Sequence, residues 1–306
     1  MSGGMRCMHD QPNMTRPLLW LKRGAIALAS LTLLAWGGAS IYLYFNQGAV
    51  VYLPAREYAN TPKDFGVAYE DLRLTVKRAS GASETIRVWW LPAQSEGGAP
   101  NGFSILFLHG NARNMGAAGN SEKVAGLARA GFNVMTLDYR GYGQSDGDAP
   151  YEAAIYEDTS AAFEEFKRRA PDPAKRVLHG HSLGGAVAID LASKRPREFT
   201  AAFIEATFSS MLDMSTINPL YRLLPIDTLL TERFESSRKI SALKLPIMFI
   251  HGTKDTRIPP AMSKQLYALA SEPKSLILVE GATHNNLHLF SQYGEAYRLL
   301  LGMAKP

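Results

Sequence analysis

Residues 180–185 read GHSLGG, which places Ser182 between Gly180 and Gly184 at the spacing G-x-S-x-G. An apolar run, 176–178, precedes this motif, and an alanine-rich helical pattern, 186–192, follows it. A serine on a tight turn between strand and helix adopts strained backbone angles and tolerates only small neighbours. The start of the helix favours the negative charge that develops when such a serine attacks a carbonyl group. The pattern therefore predicts that Ser182 is a nucleophile.

A nucleophilic serine needs a basic histidine that is itself oriented by a carboxylate. In a strand–turn–helix setting of this kind, the acid and then the histidine follow the serine along the chain. His284 comes after the last predicted strand, and Asp255 lies in the turn after the penultimate one. Asp213 and Asp227 remain alternatives for the acid.

The other histidines receive different interpretations. His109 and His251 are each followed by glycine at a strand end, where a role in turn geometry is favoured, and His179 and His181 flank Ser182. His288 follows His284 by four residues, a spacing that could suit a metal pair, but no nearby glutamate or third ligand accompanies it. We therefore expect neither a metal nor an organic cofactor.

The tetrahedral intermediate of acyl transfer needs two backbone N–H donors. One is expected from Leu183, the residue after the serine. The second is expected from the loop 109–112, in which Asn111 is the best candidate.

Short apolar strands and helical patterns alternate along most of the chain. Strands are predicted at 68–76, 85–91, 104–108, 133–137, 176–178, 201–204, 246–250 and 275–279, and helices at 121–130, 153–169, 185–193, 261–270 and 292–303. The first two strands are expected to form a hairpin around 80–82, and 94–102 reads as a loop. Alternation of this kind indicates an α/β fold with a mainly parallel sheet of about eight strands and helices on both faces. The long interval 206–245 predicts a small cap over the carboxyl edge of the sheet, or alternatively a packed helix pair with no substrate role.

The composition is that of a globular protein. The 306 residues are 46% hydrophobic and 20% charged, with a formal net charge of +5. No basic stripe with interleaved aromatic residues occurs, so nucleic acid is not an expected partner. Because Cys7 is the single cysteine, the chain can form neither an internal disulfide nor a thiolate metal cluster.

Residues 24–45 contain no charged side chain and are long enough for a helix that crosses a bilayer. Lys22 and Arg23 precede this stretch, so a cytoplasmic tail, 1–23, and an extracytoplasmic domain (periplasm or lumen) are expected. A cleaved signal peptide is the alternative, but the apolar sequence continues to Phe45, which favours an uncleaved signal-anchor. Residues 46–66 are interpreted as a linker, and 67–306 as the main domain.

Taken together, these motifs resemble the α/β-hydrolase superfamily. The residues that carry the resemblance are HGN at 109–111, DYRGYGQS at 138–145, GHSLGG at 180–185 and the loops of Asp255 and His284. The resemblance spans roughly 65–303. Within the superfamily, the sequence most resembles the single-pass, membrane-anchored branch, whose better-known members act on lipid esters, lysophospholipids or acylated cysteines. It implies a triad of Ser182, Asp255 and His284, with oxyanion donors Asn111 and Leu183. One departure is that Arg113 and Asn114 stand where relatives often have a small Ala-Gly pair. The charge of Arg113 could favour an anionic substrate, although a solvent-facing role is preferred.

Two classes of function remain open from the sequence. The first is a membrane-anchored serine hydrolase that cleaves small-molecule or lipid-like carboxylic esters or thioesters, with cleavage of short peptides as the alternative within that class. The second is a binding protein of hydrolase shape that has lost catalysis. All five predicted positions are filled in this sequence, which favours the enzyme.

Overall fold

The computed structural model describes residues 15–78, 81–94 and 100–304. In this part of the chain, eight strands form one sheet. They are β1 (Glu70–Lys77), β2 (Ser83–Leu91), β3 (Ser104–Leu108), β4 (Asn133–Asp138), β5 (Arg176–His181), β6 (Ala201–Glu205), β7 (Ile247–Gly252) and β8 (Lys274–Val279). Their spatial order is β1-β2-β4-β3-β5-β6-β7-β8. Strand β2 is antiparallel to both of its neighbours, and all other pairings are parallel.

Helices occupy most of the connections between these strands. They are α1 (Thr15–Val51), α2 (Ala118–Arg129), α3 (Glu152–Arg169), α4 (Leu183–Lys194), α5 (Met211–Ser215), α6 (Ile226–Leu229), α7 (Ser236–Lys239), α8 (Pro260–Leu269) and α9 (Ser291–Met303). Single 3-10 turns add Pro62–Phe65, Pro173–Lys175, Pro219–Leu223, Ile240–Ala242 and Leu287–Leu289.

The central strands are buried on both faces. Every residue of β3, β5 and β6 is buried, and an apolar core lies on each side of the sheet. Continuous burial explains why these strands read as uninterrupted apolar runs rather than as alternating patterns. The predicted α/β fold with a mainly parallel sheet is confirmed, and the ends of its predicted strands and helices lie within three residues of those observed. The predicted hairpin turn 80–82 and the loop 94–102 lie partly outside the described residues, at 79–80 and 95–99.

The interval between β6 and β7, predicted as a cap, consists of short turns. Its longest helical segments, α5 and the 3-10 turn Pro219–Leu223, have five residues each. The segment is therefore a series of short helices and turns rather than the longer packed helix pair that was the alternative. Leu220 and Leu223 remain exposed, by 68% and 69%.

The segment 46–66, interpreted from the sequence as a linker, is hydrogen-bonded into the main domain. Helix α1 continues to Val51, Leu53–Pro54 pairs in parallel with Ala112–Arg113, and Pro62 begins a 3-10 turn. Proline suits the first position of a helical turn because its missing N–H would have no partner there. Pro54 and Pro62 therefore both occupy defined structure within the predicted linker.

The chain divides into two compact units between Phe45 and Asn46. Within the described residues, one helix, Leu18–Val51, is long and apolar enough to cross a membrane by length and composition. The tail 1–14, with Cys7 and His9, lies outside the described residues.

Gly184 offers a test of how closely the elements around Ser182 approach one another. A Cβ atom added at Gly184 would lie 2.0 Å from the backbone oxygen of Leu108, so Gly184→Ala must displace backbone. We expect this variant to lose about 1–3 kcal/mol of unfolding free energy. The measurement is denaturant unfolding in detergent solution, with Gly294→Ala as control. A Cβ at Gly294, in α9, meets nothing within 4 Å, so this change should leave stability equal or slightly higher. Equal effects of the two substitutions would contradict the predicted close contact.

Candidate active site

Ser182 stands at the junction of β5 and α4 with a strained backbone. Its φ of 56° and ψ of −122° lie in a region that non-glycine residues rarely adopt. Three hydrogen bonds hold it there: its N–H donates to the oxygen of Glu205 (2.9 Å), and its own oxygen accepts from the N–H of Gly185 (2.9 Å) and the hydroxyl of Thr207 (2.7 Å). The surrounding backbone therefore enforces the strained angles.

Glycines surround this turn because nothing larger fits. A Cβ at Gly180 would lie 2.2 Å from the oxygen of Gly184, and one at Gly110 would lie 3.1 Å from the Cβ of Ser182. The Gly110 loop thus lies against the serine side chain. These contacts explain the G-x-S-x-G spacing as a steric requirement of this particular turn.

The structure brings Ser182, His284 and Asp255 into one hydrogen-bonded chain. The Ser182 Oγ lies 3.0 Å from His284 Nε2, and His284 Nδ1 lies 2.7 Å from Asp255 Oδ2. The three residues follow the carboxyl ends of β5, β8 and β7, and all three are buried. With Asp255 ionised, Nδ1 carries the imidazole proton and Nε2 is free to accept the serine proton.

Asp255 is held in place on both of its oxygens. Oδ1 accepts from the backbone N–H groups of Arg257 and Ile258, each at 2.9 Å, and Oδ2 lies 3.1 Å from His251 Nε2. Burial opposes ionisation, but the hydrogen bonds from His251 and His284 outweigh it and hold the pKa of Asp255 well below its ordinary value. The carboxylate is therefore ionised at any pH at which the protein would work.

His251 contacts Asp255, and the sequence did not predict this contact. Its Nδ1 lies 2.7 Å from the hydroxyl of Ser263, and its Nε2 faces both Asp255 and the oxygen of Ile258. The sequence signal that could have indicated this contact is the position of His251, four residues before Asp255 at the end of the same strand. It acts on His284 through Asp255, as a positioning residue.

The backbone N–H groups of Asn111 and Leu183 have no acceptor in the part of the chain that the structure describes. The Asn111 loop is held from behind: its side-chain amide donates to the oxygen of Val51 (2.7 Å), and its own oxygen accepts from Leu53 N–H (3.0 Å) and the hydroxyl of Tyr142 (2.8 Å). Two free donors flanking a serine are what a developing oxyanion requires.

The remaining sequence candidates lie in other surroundings. Asp213 accepts from the hydroxyl of Ser209 at 2.5 Å, and Asp227 is an exposed partner of Arg233. His288 Nε2 lies 3.4 Å from Glu122. Among the described residues, no group of three or more histidine, cysteine, aspartate or glutamate side chains could hold a metal ion.

His181 lies directly beside the serine and is buried. Its Nε2 lies 3.1 Å from the oxygen of His284, whereas its Nδ1 has no partner among the described residues. Burial and the nearby charge of Lys123 hold the pKa of His181 well below its ordinary value, so the ring is neutral.

A cavity of about 380 Å³ opens beside Ser182. Its walls are small and polar side chains and three cations, and no aspartate or glutamate of the described chain lines it. Its lining residues are Ala59, Gly110, Asn111, Ala112, Arg113, Ala117, Ala118, Gly119, Asn120, Lys123, His181, Ser182, Arg257, His284 and Asn285. The described residues of the predicted cap, 206–245, contribute nothing to this lining.

A mainly parallel eight-stranded sheet with a strained serine at the β5–α4 turn defines an α/β hydrolase. Comparison with known proteins leads to the same class. The family model described as "Serine aminopeptidase, S33" matches residues 100–238. The fission yeast Schizosaccharomyces pombe protein bem46 is 33% identical over 282 residues, which are 89% of this chain and 90% of that protein.

Two further similarities span most of the main domain. The Escherichia coli protein YfhR, itself uncharacterized, is 35% identical over 216 residues, or 69% of this chain and 72% of YfhR. The solved Pyrococcus furiosus esterase Pf2001 superposes with a TM-score of 0.64 at 21% identity, covering 82% of this chain and 99% of the esterase, and shares the fold. The chain therefore belongs to the α/β-hydrolase superfamily and is a hydrolase of the serine type.

The low pKa of Asp255 predicts a pH-dependent contribution to stability. The folded carboxylate stays ionised below the ordinary pKa of aspartate, whereas the unfolded one takes up a proton there, so the stabilisation exists at neutral pH and declines as the pH falls. We expect Asp255→Asn to have a lower melting temperature than the parent at neutral pH, and the gap, constant from about pH 7 to about pH 5, to narrow between about pH 5 and about pH 3. Thermal unfolding of both proteins over that range measures the gap. A gap that stays constant, or that widens towards low pH, would contradict the prediction.

Proposed function

We propose that this chain is a serine hydrolase that cleaves carboxylic ester or thioester bonds with Ser182, His284 and Asp255 as its catalytic triad. The observation that carries the proposal is the continuous hydrogen-bonded chain from the Ser182 hydroxyl through His284 to Asp255. It is supported by the strained serine backbone and by the two free N–H groups beside it.

The residues divide the reaction as follows. Ser182 attacks the carbonyl carbon while His284 takes its proton on Nε2, and Asp255 stabilises the resulting imidazolium. The carbonyl oxygen becomes an oxyanion and accepts from the N–H groups of Asn111 and Leu183. His284 then protonates the leaving alcohol or thiol, and a water molecule, deprotonated by the same imidazole, releases the acyl group from Ser182.

Cleavage of short peptides is the second candidate, and the matched family model, "Serine aminopeptidase, S33", is the observation that favours it. The same triad serves both reactions, because an amide differs from an ester in its leaving group. A binding protein without catalysis is a weaker candidate, because it would not need a strained serine aligned with a histidine.

Membrane attachment through residues 24–45 is part of the proposal. Lys22 and Arg23 before the apolar stretch support a cytoplasmic N-terminus and an extracytoplasmic domain. Location at a membrane favours lipid-like or acylated substrates.

Replacement of the nucleophile tests the reaction. With p-nitrophenyl esters from acetate to palmitate, the full-length chain in nonionic detergent should release nitrophenol, and Ser182→Ala should reduce kcat by on the order of 10⁴ or more. Ser104→Ala, which removes a buried serine hydroxyl at the start of β3, at the other end of that strand from the site, is the matched control and should retain most of the activity. Optimal turnover of long chains would support a lipid-like substrate, and of short ones a small-molecule esterase. Unchanged hydrolysis in Ser182→Ala would refute the proposed role, whereas Ser182-dependent cleavage of peptides alone would favour the peptidase.

The single cysteine tests the proposed orientation. In right-side-out membrane vesicles, Cys7 should react with a membrane-impermeant maleimide only after permeabilisation, because the tail is proposed to be cytoplasmic. In a Cys7→Ser background, Glu295→Cys places the thiol on exposed α9 of the main domain and should react without permeabilisation. The reverse labelling pattern would refute the orientation, and release of the domain from washed vesicles would refute the anchor.

A further inference from the structure

We propose that the cavity beside Ser182 contains an anion subsite built on Arg113 and Arg257. The preferred substrates are then esters that carry a second, negatively charged oxygen group, a carboxylate or a phosphate, near the scissile bond. This inference rests on the proposed ester hydrolysis and names the substrate class of the same site.

The first argument is charge balance in the cavity. Three cations line it, and Lys123 is neutralised because its Nζ lies 2.6 Å from the buried carboxylate of Glu205. The side chains of Arg113 and Arg257 have neither an ion pair nor a hydrogen bond with any residue that the structure describes. Two arginines whose guanidinium groups have no described partner therefore line a cavity in which no described carboxylate competes with a ligand.

The second argument is the backbone of Arg113. Its φ of 67° lies in the left-handed region, where glycine has no penalty and a residue with a long side chain is strained. Backbone contacts hold it there, because its oxygen accepts from Ala55 N–H at 2.9 Å and it pairs with Pro54 in the two-residue strand. The chain thus keeps a cationic side chain next to the oxyanion loop at a position where glycine would be less strained.

Arg257 approaches the same cavity from the opposite loop. Its N–H donates to Asp255 Oδ1, so its backbone position is tied to the proposed acid of the triad. One arginine thus belongs to the loop that supplies an oxyanion donor, and the other to the loop that orients His284. An anionic group bound between them would be within a few bonds of the carbonyl that Ser182 attacks.

The start of α2 adds a third positive contribution. Its first residues, Ala118 and Gly119, line the cavity, and their N–H groups have no acceptor in the described chain. The N-cap residue, Ala117, has no side chain that could satisfy them. Free N–H groups at the start of a twelve-residue helix favour a negative charge, and the small side chains here leave room for it.

Matched pairs of substrates isolate the charge. On the acyl side, p-nitrophenyl hydrogen adipate is compared with p-nitrophenyl hexanoate, and on the alcohol side 4-acetoxybenzoate is compared with its methyl ester. The full-length protein should show a higher kcat/KM for the anionic member of one pair. That pair identifies whether the subsite binds a charge on the acyl side or on the alcohol side of the ester. Arg113→Gln and Arg257→Gln should each reduce this preference roughly two- to fivefold, the range expected for an exposed charge pair.

Three controls separate ligand binding from structural effects. Arg113→Lys and Arg257→Lys keep the charge and should retain much of the preference. Arg73→Gln removes the same charge from the exposed edge strand β1 and should leave the preference unchanged. At about 1 M salt the preference should fall towards one, since exposed charges are then screened within about 3 Å.

A binding measurement keeps the two proposals distinguishable. Full-length Ser182→Ala is titrated calorimetrically with adipate, the uncharged hexanamide and inorganic phosphate. Adipate or phosphate should bind more tightly than hexanamide, and the double variant Arg113→Gln/Arg257→Gln should abolish that difference.

The outcomes separate as follows. Ester hydrolysis with no charge preference, and no effect of the arginine variants, overturns the anion subsite and leaves the proposed function standing. Arginine-dependent binding of adipate or phosphate without hydrolysis of any ester overturns the proposed function and leaves the anion subsite standing. No hydrolysis together with equal binding of adipate and hexanamide overturns both.

Discussion

The site depends on one close contact, between the turn that follows β3 and the turn that follows β5. These strands are parallel neighbours, with Leu108 opposite Gly180 in the register, so their two turns meet at the same edge of the sheet. Only the absence of side chains at Gly110 and Gly184 lets the two backbones approach. The contact brings the loop of Asn111 against Ser182, so the packing that strains the serine also fixes the position of the two N–H groups that we propose as oxyanion donors. The strained serine and the proposed oxyanion site are therefore consequences of one steric arrangement.

The loop of Asn111 is in turn supported by the last residue of the apolar helix and by the chain that immediately follows it. Val51 accepts from the Asn111 side chain, Leu53 donates to the Asn111 oxygen, and Ala55 donates to the oxygen of Arg113. These bonds link residues about sixty positions apart, and they continue the short pairing of Leu53–Pro54 with Ala112–Arg113. A segment that connects an apolar helix to a domain would ordinarily need no fixed structure. Here it forms part of the scaffold that holds the loop of Asn111.

The sequence predicts this fold well because its signals are local. Apolar runs mark the buried strands, and the order of Ser182, Asp255 and His284 along the chain follows from the order of the strands that they terminate. The features that escaped prediction depend on contacts between distant residues. A two-residue strand at Leu53 has no periodicity to detect, and the role of His251 depends on which way its ring turns once Asp255 is in place. The short turns of 206–245 follow no helical or strand period.

Buried and exposed charges contribute differently at this site. Lys123 is only 3% exposed, and a cation so deeply buried is stable only because Glu205 lies against it. Glu205 also contacts His179 and the hydroxyl of Tyr293, so this buried group of charges is satisfied internally. Asp255 is likewise satisfied by its own histidines and backbone donors. The charges of Lys123, Glu205 and Asp255 are thus satisfied inside the protein, whereas Arg113 and Arg257 at the exposed rim of the cavity have no charged partner among the described residues. Because rim residues can change without disturbing the packing around the serine, substitutions there can alter the charge preference of a hydrolase of this fold while its chemistry stays the same.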